Sequence, residues 1–151
     1  SSQINYSHSG EVFDARPYPD GLFLLEKFLF QVCRIFIIMN LQNYRIFLRG
    51  YSPNCAAVHY SKDSFSGLGY HDDNDSFINH KLIFTFSVKS SCTFGIKKRK
   101  CGDSWTTEIE PFDLFVMLGD KFQQQYIHSV LQTEGGRING SFRHVKKSYC
   151  S

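Results

Sequence analysis

Residues 81–89, KLIFTFSVK, constrain the fold more than any other stretch of this sequence. Leu82, Phe84, Phe86 and Val88 alternate there with Ile83, Thr85, Ser87 and Lys89. A period of two is the mark of an extended strand, whose successive side chains point to opposite faces. The first set is wholly apolar, so it needs a second apolar layer to cover it. Further short strand-like runs stand at 55–60, 92–96, 105–109, 113–118, 127–130 and 137–145, with Pro111 as a break between two of them. Fifteen Phe and eight Tyr among 151 residues suit strands and supply a core. Seven or so short strands in one domain-sized chain predict a β-sandwich or barrel with helical packing on one side.

The N-terminal part reads differently. Residues 1–20 are polar and turn-rich, with Pro17 and Pro19. Asp20 can cap a helix that starts near Gly21. Lys27, Gln31 and Arg34 then fall on one stripe and leave the rest of the helix apolar. This predicts a helix laid on the outside of a sheet, with membrane-surface binding as the rarer alternative. Charges within the apolar stretch 22–39 argue against a spanning helix. Five cysteines, at 33, 55, 92, 101 and 150, include no CxxC pair. A zinc ribbon and a disulfide framework are therefore disfavoured, and reduced thiols in a cytoplasmic setting are expected. The chain begins Ser-Ser rather than Met, which reads as excision from a longer protein. Net charge is only +3, but Lys97, Lys98, Arg99 and Lys100 form one basic run and Lys146-Lys147 another. Such runs are ordinarily solvated loop charge. They become candidates for phosphate contact if a nucleic-acid site lies beside them.

Two constellations carry chemistry. His71 and Asp73, two apart on an extended segment, point to the same side and can reach one metal ion. A second histidine would complete a two-His, one-carboxylate face. Such a face leaves coordination positions open, as oxygen-activating non-haem Fe(II) requires. HxD alone is weak evidence, because the tripeptide arises often by chance. The second constellation is 137–143, RINGSFR, where Arg137, Asn139, Ser141 and Arg143 share one face of a strand. Turned into a barrel, two arginines need anionic partners. Between their heads lies room for a small dicarboxylate, which Arg is suited to grip in bidentate fashion. Turned outward, they are merely two exposed arginines. His128 is the best candidate for the distal metal ligand, by its place between the HxD pair and the arginines. His8, His59, His80 and His144 lie in the polar N-terminus, on a strand, in an expected loop and just after Arg143.

The order His71-x-Asp73, His128, Arg137-x-Asn139-x-x-Phe142-Arg143 resembles the AlkB family of 2-oxoglutarate-dependent nucleic-acid demethylases. The resemblance covers roughly residues 54–145. The start at Tyr6-Ser-His-Ser-Gly10 and the run Gly69-Tyr-His-Asp-Asp73 are similar to AlkB domains embedded in replicase polyproteins of plant RNA viruses. The resemblance implies a mainly β double-stranded β-helix (jelly-roll) barrel with a flanking N-terminal helix. It implies one domain over 1–151, with lid and supporting helix at 1–50 and catalytic β-core at 51–147. It implies Fe(II) held by His71, Asp73 and His128, and 2-oxoglutarate bound by Arg137 and Arg143 with help from Asn139 and Tyr60. Asp75 would contact the exocyclic amine of the target base. Val58 stands where many members have Asn, the spacing from Tyr60 to His71 is slightly long, and lid residues are sought among Tyr6, His8 and Tyr18.

The implied activity is oxidative demethylation of N-alkylated bases in methylated RNA or DNA, RNA first and single-stranded by preference. Formaldehyde, succinate and CO2 are the implied products. A viral parent would place it in the host-cell cytoplasm. Three rivals stay open at this stage. One is an Fe(II)/2-oxoglutarate hydroxylase of a protein or small molecule. Another is a non-enzymatic RNA-binding β-barrel module. The third is a zinc hydrolase, which would leave the arginine face without a role.

Overall fold

A computed structural model describes residues 6–8, 11–13, 17, 19–41, 48–62, 64, 67–133 and 135–146, with 6–8 and 11–13 in backbone only. Strands β1 (Tyr6–His8) and β2 (Glu11–Phe13) pair as a small antiparallel ribbon. Helix α1 (Asp20–Asn40) follows, then β3 (Cys55–Ser61), β4 (Leu68–His71), β5 (Ile78–Lys89), β6 (Cys92–Lys98), β7 (Ser104–Ile109) and β8 (Leu114–Leu118). A short helix α2 (Asp120–Gln125) leads into β9 (Tyr126–Thr133) and β10 (Arg137–Val145). The large strands form two antiparallel sheets, ordered β3-β10-β5-β8 and β4-β9-β6-β7. The chain crosses repeatedly from one sheet to the other, which makes the predicted jelly-roll. Between the sheets Phe94 of β6 meets Phe115 of β8, with ring centroids 4.4 Å apart.

The alternation in 81–89 sets the two faces of the first sheet. Leu82 and Phe84 point outward into the layer beneath α1, with Phe84 stacked on Phe142 of β10 at 5.1 Å. Ile83 points inward, against Met117 and Ile78. Both faces are covered, so the strand is buried nearly throughout its middle. Helix α1 buries Glu26, Leu29, Phe30, Cys33 and Ile37, spaced as one helical face. These meet Leu48, Tyr51, Leu82, Phe84 and Phe142. The helix does lie on the outside of a sheet, as expected.

Details of α1 differ from the expectation. Pro19 is the N-cap residue and no side chain caps the helix; Asp20 lies in its first turn instead. Pro fits there because its fixed φ suits entry into a helix and its missing N–H removes nothing the helix needs. Lys27 sits over the Phe23 ring, 4.1 Å from its centroid. The outward side is far from uniformly polar, since Leu24, Phe28, Ile35, Phe36 and Met39 are exposed there. No helix among the described residues is long and apolar enough to cross a membrane. Two further elements had no clear sequence signal: β4, and the six-residue α2 that follows Gly119 at φ 89°. His80, expected in a loop, lies within β5.

The stacked pair Phe84 and Phe142 joins helix to sheet. Phe84→Ala is expected to cost about 3–5 kcal/mol of unfolding free energy, read by denaturant titration. A loss below about 1 kcal/mol would contradict this packing.

Candidate metal and co-substrate site

Strands β4 and β9 are neighbours, and their register sets His71 directly opposite His128. Cross-strand partners share a face, so both rings enter the space between the sheets. Their centroids are 4.3 Å apart. Asp73, two residues further along, brings a carboxylate to the same point. Ligand atoms from His71, Asp73 and His128 all lie within 4.8 Å of one another. His71 Nδ1 lies 2.8 Å from the Gly69 carbonyl oxygen. That contact makes Nδ1 the protonated nitrogen and leaves the Nε2 lone pair for a cation. His128 is buried beside Phe94. Burial lowers its pKa to about 4, assisted by His71 and Arg143 and opposed by the Asp73 charge. The imidazole is therefore neutral, the form in which it can donate to a metal.

Arg143 decides how the Asp73 carboxylate is shared. Its Nη1 donates to Asp73 Oδ1 at 3.1 Å, both groups being buried. The other oxygen, Oδ2, lies 3.7 Å from His128 Nε2. One oxygen thus answers the guanidinium, and the second faces the imidazoles. Arg137, six residues earlier on the same face of β10, is equally buried. It donates to Asn139 Oδ1 and also contacts the Cys92 thiol of the opposite sheet. It has no carboxylate partner among the described residues, and its Nε has no hydrogen-bond partner there. A buried guanidinium so placed is suited to receive an anion.

The sequence matches the 2OG-Fe(II) oxygenase superfamily over residues 2–145. The chain belongs to that superfamily. Its members use Fe(II) and 2-oxoglutarate, and the donors fit: two imidazoles and a carboxylate converge, with a buried arginine suited to a carboxylate on the facing sheet. No curated protein sequence matches the chain. Among solved structures, that of OsALKBH1 is similar in fold, with TM-score 0.68 and 20% identity, over 90% of this chain and 69% of that one.

Not every expected residue of this oxygenase reaches the site. Tyr60 does not join Arg137 and Asn139: it pairs with Ile138 and so lies on the other face of the sheet, 65% exposed. The reason is register, since the residues opposite Arg137 and Asn139 are Ser61 and His59. Val58, opposite Gly140, is on the Tyr60 face as well. Asp75 is half-buried just past Asp73 and accepts the Ile78 N–H through its backbone oxygen. Tyr18 and Lys147 lie outside the described residues, as do the side chains of Tyr6 and His8.

One residue that the sequence gave no reason to choose supports the metal ligands. Gln123 of α2 is 1% exposed. Its Oε1 accepts the Asp73 backbone N–H at 3.0 Å, and its Nε2 lies 3.4 Å from Met117 Sδ. The amide fixes the turn that carries Asp73 into the barrel. The first of three Gln in DKFQQQ looks like surface helix, and only the tertiary contact distinguishes it. The basic hairpin between β6 and β7 also reaches this region. Arg99 pairs with Asp72, between the two ligands in sequence, and its N–H bonds Gln125 O at 2.9 Å.

Two expectations follow from this geometry. Gln123→Leu removes the acceptor of the Asp73 N–H, so Mn(II) affinity should fall about 10- to 100-fold by equilibrium dialysis; an unchanged affinity would contradict the positioning role. In the metal-free protein, His128 protonates near 4 when folded, against an ordinary 6.5. The unfolded chain therefore takes the proton first. Stability from this residue is full above about 6.5 and is lost as pH falls towards about 4. His128→Asn should flatten the fall of unfolding free energy across that window, measured by urea titration at each pH.

Proposed function

We propose that this oxygenase demethylates N-alkylated bases in single-stranded nucleic acid, with RNA ahead of DNA. The observation that carries the reading is the basic 97–100 hairpin held beside the metal ligands through the Arg99–Asp72 pair. A cationic element at that point would draw a phosphate backbone across the opening of the barrel. The AlkB-like order of His71, Asp73, His128, Arg137, Asn139 and Arg143 supports the same reading. A target base must leave its stack to reach the centre of the barrel, which favours unpaired strands. The resemblance of 6–10 and 69–73 to viral AlkB domains supports a place within a larger replicase polyprotein, acting in the host-cell cytoplasm.

Each side chain then has a task. His71, Asp73 and His128 would hold Fe(II), and Arg143 orients the Asp73 carboxylate. Arg137, steadied by Asn139, would take the distal carboxylate of 2-oxoglutarate as the anion its burial lacks. Asp75 would accept a hydrogen bond from the exocyclic amine of the base, selecting an aminated ring. Bound Fe(II) supplies the oxidation, with O2 and 2-oxoglutarate hydroxylating an N-methyl carbon that is then released as formaldehyde, alongside succinate and CO2. The apolar wall of Ile83, Met117 and Phe115 keeps water from the interior.

The test is formaldehyde release from oligonucleotides bearing 1-methyladenine, 3-methylcytosine or N6-methyladenine. The wild-type chain should release it in step with succinate, and Asp73→Ala should release none above background. Succinate formation coupled to none of these oligonucleotides would sink the demethylase reading and leave a hydroxylase of another substrate.

A further inference from the structure

The second sheet carries a row of side chains that runs from the metal ligands to its edge. His71 of β4 is opposite His128 of β9, His128 is opposite Ile96 of β6, and Ile96 is opposite Trp105 of β7. Directly opposed residues share a face, so Trp105 stands on the ligand-bearing face of this sheet. It is two strands from His128, roughly 10 Å at the usual strand spacing. Tyr126, two residues before His128 in β9, is on that face too. The Trp105 ring leans across β6 towards it, with centroids 6.2 Å apart. Phe122 of α2 also stacks on Tyr126, at 5.4 Å. Deeper on the same face, Phe94 and Ile109 are buried core, whereas Trp105 is 51% exposed. The aromatic row therefore emerges from the core at this end and opens to solvent.

The charge around it is one-sided. The hairpin 97–104 bears Lys97, Lys98, Arg99 and Lys100 against Asp103 alone, four cations to one anion. A large aromatic surface, half open and beside a cationic loop, suits a planar base attached to a phosphate. A buried apolar side chain of a protein partner would have no use for the cations.

We propose that Trp105, backed by Tyr126, is a stacking shelf for a nucleobase adjacent to the base being demethylated. The proposal rests on the demethylase reading of the site and adds a second base position to it. The separation of Trp105 from the ligands assigns it to a neighbouring nucleotide, because the target base must touch the metal centre. Lys98 and Lys100 would hold the phosphate between the two nucleotides. The shelf makes a single-stranded chain of at least two nucleotides a better substrate than a free nucleoside.

Trp105 is the only tryptophan in the chain, so its emission reports the shelf directly. The experiment titrates the full chain with a short single-stranded RNA carrying one 3-methylcytosine, following tryptophan emission and the anisotropy of a labelled copy. Emission should be quenched saturably as the RNA binds. Trp105→Ala should weaken binding about tenfold, the usual loss of one stacked base. Trp105→Phe, which keeps an aromatic face, should recover most of it and shows that the fold is intact. With Trp105→Ala, KM for the RNA should rise while kcat for formaldehyde release is kept. RNA that binds and is demethylated with no change in emission, or with equal affinity for Trp105→Ala, overturns the shelf and leaves the demethylase standing. RNA that is neither bound nor demethylated overturns both.

Discussion

Two guanidinium groups buried on one face of β10 set the terms for everything around them. A cation inside a barrel is costly unless it is paired, so each arginine must have an anion at a defined place. Arg143 has the Asp73 carboxylate at 3.1 Å. Among the described residues, Arg137 has neutral partners in Asn139 and Cys92 and no carboxylate. One demand is met among the described residues, and the other leaves room for a further carboxylate.

The same requirement shapes the metal ligands. Arg143 occupies one oxygen of Asp73 and leaves the second towards His128, so the carboxylate cannot turn away from the imidazoles. Gln123 holds the backbone of Asp73 from the opposite direction. The Gly69 carbonyl fixes the His71 ring, and burial keeps the His128 ring neutral. Four separate segments, at 69–73, 123, 128 and 143, thereby converge on one small volume. Strand pairing between β4 and β9 performs the last alignment by setting the two histidines opposite each other.

Much of this could be read from the residues. The period of two in 81–89 marked a strand with an apolar face, and the polar stripe of Lys27, Gln31 and Arg34 marked α1 as a helix laid on a sheet. The HxD spacing and the alternation of RINGSFR put the right side chains on common faces, because a strand's pleat is a local property. What could not be read was the register between strands distant in sequence. Tyr60 shows this: the resemblance offers it as a co-substrate contact, yet pairing with Ile138 turns it to the other face. Gln123 shows the converse, an undistinguished polar residue in a six-residue helix that becomes a buried support only through Asp73 and Met117. Trp105 likewise gained meaning only when three successive strand pairings set it in line with His128. Glu26, counted in the sequence only as a charge against a spanning helix, is buried on the inner stripe, where a carboxylate defies the usual pattern.

The central claim is that the three ligands and Arg137 form one site, with metal and dicarboxylate bound side by side. Calorimetric titration of 2-oxoglutarate into the Mn(II)-loaded protein tests it most directly. One binding site per chain is predicted, lost when Mn(II) is withheld and weakened about 10- to 100-fold by Arg137→Leu, the scale of a charged hydrogen-bonded contact. Binding that is indifferent to the metal, or undiminished by Arg137→Leu, would contradict it.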